Sequence, residues 1–212
     1  MPLILAVDTT GEHGSLALAR GGELLEQVAL HAPAGFSQIL FGELERLLAR
    51  HGVKTAEMDC FAAASGPGSF TGVRVGLACV KGLAEAVGRP AVAVSNLEVL
   101  ARCGTAPLRG AVIDARRGEI YGAVYDCEGR LVSPEVVARL DPWLAALPPG
   151  VSEFVSAMPL PAVSRVIPAP AALAAVIAEI ARARLLRGEA SDPAALDANY
   201  VRRSDAELFW KE

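Results

Sequence analysis

The sequence predicts an α/β protein of two lobes, the second abbreviated. Three observations lead there. The apolar segments are short, and glycine and proline punctuate them, so strands and helices of ordinary length alternate. Three strands, a helix, a strand, a helix and a strand account for the first hundred residues, and a strand pattern begins again near Ala111. Beyond Leu140 the pattern thins, which leaves the second half short of elements. The boundary is expected near Gly104 to Pro107, giving lobes of residues 1–105 and 106–212.

Residues 3–8 are apolar until Asp8 and predict a buried strand. Ser15 to Arg20 is a second strand, Gly21-Gly22 a hairpin turn, and Glu23 to Leu30 the return. From Phe36 to His51 the apolar residues Phe36, Ile39, Leu40, Leu44, Leu47 and Leu48 recur at helical spacing. Asp59 to Ala64 predicts a fourth strand. A helix from Gly72 to Val87 follows, stopped by Gly88 and Pro90. Ala91 to Val94 is a fifth strand and Asn96 to Cys103 a short helix. This order is the half-unit of the actin-like ATPase fold, a ribonuclease H-like arrangement. In the second half, Ala111 to Asp114, Glu119 to Tyr125 and Leu131 to Leu140 predict another three strands. Glu153 to Ala157 suggests a further strand. Ala171 to Leu186 predicts a helix with Gly188 as its cap.

The run Ser65-Gly66-Pro67-Gly68-Ser69-Phe70-Thr71-Gly72-Val73-Arg74 joins the fourth strand to its helix. Gly66, Pro67 and Gly68 demand a sharp turn, and Gly68 is expected to need a conformation that a Cβ penalises. Ser69 and Thr71 offer hydroxyls where the helix starts. Such a turn presents backbone N–H groups at the positive end of a helix dipole, an arrangement suited to a phosphate. The alternative is a tight turn with no ligand. The run fits neither the P-loop nor the dinucleotide-binding pattern.

Gly66 to Arg74 closely resembles the signature of the TsaB family, also called YeaZ. Three further blocks resemble that family in the same order. They are Ile4-Leu5-Ala6-Val7-Asp8-Thr9-Thr10, Asp114-Ala115-Arg116-Arg117-Gly118-Glu119-Ile120-Tyr121, and Asn199-Tyr200-Val201-Arg202, where valine stands at a leucine position. The resemblance implies a silent relative of TsaD, the enzyme that puts a threonylcarbamoyl group on adenosine 37 of tRNA (the t6A nucleoside). It implies a cytoplasmic scaffold and activator that pairs with TsaD, is joined by the ATPase TsaE, and reaches tRNA through the complex. Self-association of the isolated chain stays open. No intrinsic cofactor is expected, and ATP or ADP would belong to the complex.

The resemblance and the residues together single out Asp8, Thr9, Thr10, Gly66, Gly68, Ser69, Thr71 and Arg116 as a nucleotide or phosphate set. Asp8 either works near a metal and phosphate or caps the turn by accepting from amides two residues on. Arg116 either meets a phosphate or partner or lies in a solvated turn. The helix from Gly72 is apolar around most of its circumference, and Gly72 and Gly76 allow a close helix approach. With the Phe36–His51 helix it gives the expected partner face: Phe36, Leu40, Leu44, Leu47, Gly72, Val73, Gly76, Val80 and Leu83. The alternative is a helix buried within its own chain.

TsaD holds metal through two histidines one helical turn apart. Phe36 and Leu40 stand at those positions here, and neither can ligate a metal. His13, His31 and His51 are not spaced as a pair, so no metal site is expected and His13 reads as a turn residue. No Gly-x-Ser-x-Gly run supports a serine hydrolase. Cys60, Cys79, Cys103 and Cys127 form no Cys-x-x-Cys pair, and the first two sit in apolar segments as core thiols. The net charge is −4. Each half carries −2, from 8 basic and 10 acidic residues in 1–106 and 12 and 14 in 107–212, so neither half is a basic nucleic-acid domain. No apolar run is long enough to cross a membrane and the N-terminus lacks a signal-peptide pattern. Two rival readings are an ATP-dependent small-molecule kinase of the same superfamily and a metallo-glycoprotease. The missing second phosphate loop opposes the first and the missing histidine pair the second.

Overall fold

A computed structural model describes residues 1–202 and forms two units. The first comprises Met1–Ser95 and Ala171–Ala198. Its sheet contains β1 (Leu3–Asp8), β2 (His13–Arg20), β3 (Glu23–His31), β4 (Cys60–Ala64) and β5 (Ala91–Val94), ordered β3-β2-β1-β4-β5. β1, β2 and β3 are antiparallel, and β4 and β5 continue parallel to β1. Every residue of β1 and β4 is buried. Both runs are continuously apolar because helices cover both faces of the sheet. These helices are α1 (Leu40–Arg50), α2 (Phe70–Val87) and α5 (Ala174–Leu186). The core gathers Leu5, Val7, Leu16, Leu47, Phe61 and Val80.

The second unit comprises 96–170 and 199–212, of which the last ten residues lie outside those described. It repeats the first in strand order. β6 (Leu108–Arg116), β7 (Glu119–Asp126) and β8 (Leu131–Ala138) are antiparallel, and β9 (Glu153–Ser156) and β10 (Val166–Pro168) continue parallel to β6. The order is β10-β9-β6-β7-β8. This is the actin-like, ribonuclease H-like unit used twice. The second copy is the shorter. The short helix α4 (Leu140–Ala145) leads into β9, and residues 157–165 reach β10 with no helix among the described residues. Its edge strands carry Pro134 and Pro168, which have no N–H to donate.

The division departs from the expected boundary at 105/106. Helix α3 (Asn96–Arg102) packs on β6, β7 and β9 and belongs to the second unit, while 171–198 return to the first. Ser15 Oγ accepts from the backbone N–H groups of Leu173 and Ala174, and Gln27 Oε1 accepts from that of Ala175. Two strand side chains therefore satisfy the first turn of α5, which has no cap of its own. These partners lie about 150 residues away in sequence, beyond the reach of a local pattern.

The expected helix from Phe36 to His51 is interrupted. Phe36–Gln38 form a 3₁₀ turn, and α1 begins only at Leu40. Phe36 lies over β2, where a Cβ on Gly14 would come within 2.6 Å of its ring. In the second unit, the wholly buried Glu153 accepts from the N–H groups of Thr105 and Ala106 and pairs with Arg165 at 2.7 Å. Burial pushes the Glu153 carboxyl up, but these amides and Arg165 outweigh it and hold the group below its usual value.

Gly72 and Gly82, on the same helix, should respond oppositely to one methyl group. A Cβ on Gly72 would stand 1.9 Å from the Thr9 carbonyl oxygen, whereas one on Gly82 meets nothing within 4 Å. Gly72→Ala should destabilise the protein by about 3 kcal/mol, as overpacking does. Gly82→Ala should stabilise it by about 0.5–1 kcal/mol through helix propensity. Urea midpoints of the two variants check the contrast.

Candidate functional site

Asp8 ends β1, and the chain must turn at once to start β2. Asp8 Oδ1 accepts from the Thr10 N–H at 3.0 Å and from the Thr10 hydroxyl at 2.7 Å. These bonds make Asp8 a cap of the turn. Thr9 donates its hydroxyl to the Gly72 carbonyl in the first turn of α2, at 2.7 Å. All three residues are buried. Burial pushes the Asp8 carboxyl above its ordinary value, and the two bonds from Thr10 only partly oppose that rise.

The glycine-rich turn closes on the same point. Gly66 adopts φ 99 and precedes a cis peptide to Pro67. Gly68 is restricted differently from what the sequence suggests. Its backbone is not left-handed, but a Cβ would come within 2.6 Å of the Thr10 carbonyl oxygen. Gly66 takes the special conformation, and Gly68 permits the close approach. The Ser69 N–H donates to that same Thr10 oxygen at 2.7 Å. Ser69 Oγ accepts from the Gly72 N–H at 3.3 Å and so caps α2. Thr71 is exposed within the first helical turn. Phe70 is exposed too, with the Arg74 guanidinium 3.8 Å above its ring. The structure thus brings Asp8, Thr9, Thr10, Gly68 and Ser69 together, with the hairpin's own carbonyls against the positive end of the helix.

Most residues expected on a partner face are inside. Phe36, Leu40, Leu44, Leu47, Gly72, Val73, Gly76 and Val80 are buried, and Leu83 alone is partly exposed. Gly72 and Gly76 serve the approach of α2 to Thr9 rather than to another helix, since a Cβ on Gly76 would come within 2.6 Å of Thr9 Oγ1. The outward residues are Phe41, Gly42, Glu45, Arg46, Ala49 and Arg50 on α1 and Phe70, Thr71, Arg74, Ala78, Gly82, Glu85 and Ala86 on α2. Helical spacing shows that two faces exist; it does not say which one the sheet covers.

Arg116 lies elsewhere, at the β6–β7 hairpin of the second unit. Arg116 and Arg117 both hold positive φ, 63 and 57. Such values are costly for residues with side chains; Arg117 and Gly118 form the two-residue turn, where positive φ suits a primed hairpin, and Arg116 lies at a register irregularity of β6. The Arg116 N–H donates to Asp114 Oδ1 at 2.7 Å, and its side chain is exposed. Arg202 is held at that hairpin as well. It donates to the Ala115 carbonyl, pairs with Glu119 at 2.5 Å and lies over the Tyr121 ring. Its place in the Asn199–Arg202 block was the available signal.

Cys60 and Cys79 are buried, and burial pushes their thiols up to about 12 and about 11, as core thiols. Among the described residues, no group of three histidine, cysteine, aspartate or glutamate side chains could hold a metal ion. No helix among them is long and apolar enough to cross a membrane.

The family model described as tRNA N6-adenosine threonylcarbamoyltransferase, TsaD, matches residues 30–181. The solved structure of YeaZ from Pseudomonas aeruginosa superimposes with a TM-score of 0.81 and 30% identity, covering 94% of this chain and all of that one. The chain belongs to the TsaB (YeaZ) family. An uncharacterized protein of Mycobacterium tuberculosis is 32% identical over 209 residues, 96% of this chain and 93% of the relative. The TsaB protein of Escherichia coli, a tRNA threonylcarbamoyladenosine biosynthesis protein, is 36% identical over 126 residues. That alignment covers 58% of this chain and 54% of the relative.

Two substitutions separate the cap from the carboxylate at this TsaB turn. The folded Asp8 carboxyl binds a proton more readily than the unfolded one. Its contribution to stability is full below the unfolded value of 3.8 and is lost as pH rises through the higher folded value. Asparagine keeps the acceptor oxygen without the buried charge. Asp8→Asn should therefore be at least as stable as wild type at neutral pH, with any advantage shrinking as pH falls toward 3.8. Ser69→Ala should cost about 1 kcal/mol at every pH, as loss of an N-cap does. Urea unfolding of both variants at neutral and acid pH provides the comparison.

Proposed function

We propose that this protein is a non-catalytic, cytoplasmic subunit in the synthesis of N6-threonylcarbamoyladenosine at position 37 of tRNA. It pairs with TsaD, and TsaE joins the pair. The observation that carries this reading is the closure of the signature turn on the β1–β2 hairpin. The Thr9 and Thr10 hydroxyls, the Ser69 N–H and the Ser69 hydroxyl are all engaged within the chain. The positive end of α2 faces protein carbonyls, so the turn works as a structural joint. The chain accordingly holds no nucleotide of its own, and ATP or ADP acts where the complex forms. The net charge of −4 and the lack of a basic run support tRNA contact through the partner.

The partner surface is the outward side of α1 and α2. Gly42, Ala49, Ala78, Gly82 and Ala86 set small residues among the exposed charges Glu45, Arg46, Arg74 and Glu85, and Phe41, 60% exposed, gives an apolar anchor. Small residues let a second helix pair approach closely, and an exposed aromatic suits the centre of such a contact.

Ala78→Arg should abolish co-elution with TsaD on a sizing column while leaving the thermal midpoint unchanged, because Ala78 faces solvent. Val80→Glu, one turn face away and fully buried, should instead unfold the chain. With TsaD, TsaE, tRNA, ATP and threonylcarbamoyl donor chemistry supplied, the wild-type chain should restore t6A formation. Modification of tRNA by this chain alone would overturn the non-catalytic reading, and co-elution unaffected by Ala78→Arg and by Gly82→Arg would remove the helix pair as the interface.

A further inference from the structure

His13 and His31 are 18 positions apart in sequence, yet the fold makes them a pair. They are register partners at the open end of the β2–β3 hairpin, and their rings lie 4.9 Å apart between centroids with 29° between planes. Both are exposed. Side chains alternate along a strand, so His13 shares its face with Ser15, and His31 shares its face with Gln27. Ser15 and Gln27 hold the first turn of α5, which fixes the two strands relative to each other immediately beside the histidines. Directly opposed residues on antiparallel strands have Cβ atoms about 4.5–5.5 Å apart, close enough for two imidazoles to share one ion.

We propose that His13 and His31 form a surface site for a divalent transition-metal ion of the nickel, copper or zinc class. A ring nitrogen binds such an ion at about 2.0–2.1 Å, and the ring centre lies about 1.2 Å further back. Two rings meeting one ion at an angle of about 90–110° therefore have centroids roughly 4.6–5.3 Å apart. The rings are stacked, 4.9 Å apart between centroids, so each has to turn a nitrogen toward a shared ion. Rotation about the side-chain bonds of two exposed residues brings the nitrogens to bear without backbone movement. The two imidazoles supply two ligands and water the remainder, so the site is open and exchanges its ion, unlike a closed structural zinc site. Neutral imidazole suits these borderline ions, and copper(II) should bind more tightly than nickel or zinc. The bound ion would clip β2 to β3 at the end where their ladder stops. The inference is independent of the role proposed above in tRNA modification.

The test uses the full chain without an affinity tag, in a Cys127→Ser background that removes the one exposed thiol among the described residues. Nickel(II) and zinc(II) salts are titrated by calorimetry, and copper(II) is followed by electron paramagnetic resonance. One ion should bind per chain, with a copper spectrum showing nitrogen ligands and a rise in thermal midpoint on saturation. His13→Ala and His31→Ala should each weaken binding by about tenfold or more, since a lost imidazole halves the protein ligands. His51→Ala should leave affinity unchanged, because His51 is paired with Glu26 on α1's side of the unit. Unaltered thermal midpoints of the metal-free variants exclude unfolding as the cause. Absence of saturable binding, or binding retained in either His13→Ala or His31→Ala, would overturn the proposal.

Discussion

The first unit depends on how closely α2 approaches the turn between β1 and β2. Thr9 donates to the Gly72 carbonyl, Ser69 donates to the Thr10 carbonyl, and Gly68, Gly72 and Gly76 lie where no Cβ has room. The approach sets the angle at which α2 leaves β4, and so which of its residues meet the sheet. Val73, Leu77, Val80 and Ala84 are thereby turned into the core, and Ala78 and Gly82 are left outside. The exposure of the small residues Ala78 and Gly82 is thus a by-product of an internal fit. The glycines that look suited to partner packing work instead where the helix starts.

Much of this architecture was legible in the chain. Continuous apolar runs marked β1 and β4 because both faces are covered, and Gly88 and Gly188 marked helix ends through their left-handed backbone, φ 63 and 73. The spacing of Phe36 to Leu40 fits a helix, although the chain breaks at Ile39 to lay the ring over Gly14. The outward face of α2 was not legible, since Val80 and Leu83 differ in burial but not in chemistry. The unit boundary failed for a related reason. What draws Ala174 to β2 is a serine hydroxyl far away in sequence. Local patterns report propensity, whereas such contacts depend on where distant segments meet. The His13–His31 pairing is illegible in the sequence for the same reason, because cross-strand neighbours have no fixed sequence spacing.

At the candidate site, the Thr9 and Thr10 hydroxyls and the Thr10, Ser69 and Gly72 N–H groups already have partners. Asp8 adds a buried carboxyl whose ionisation burial opposes, in a turn that an uncharged acceptor would cap equally well. A chain under selection for stability alone has no evident need for a charge there. The β6–β7 hairpin shows the opposite economy. Arg116 and Arg117 take backbone conformations that arginine disfavours, and Arg202 clamps the base of that hairpin through Ala115 and Glu119.

The prolines on β8 and β10 bear on how this chain can meet other molecules. A sheet recruits further strands through the unpaired N–H and carbonyl groups along its rims. Pro134 interrupts the row on one rim of the second sheet and Pro168 on the other. On the first sheet, β5 is fastened to the segment at Ser191 by a bridge with Ala91. Three of the four rims thus resist continuous extension by another chain, which disfavours both fibrous aggregation and recognition by strand addition.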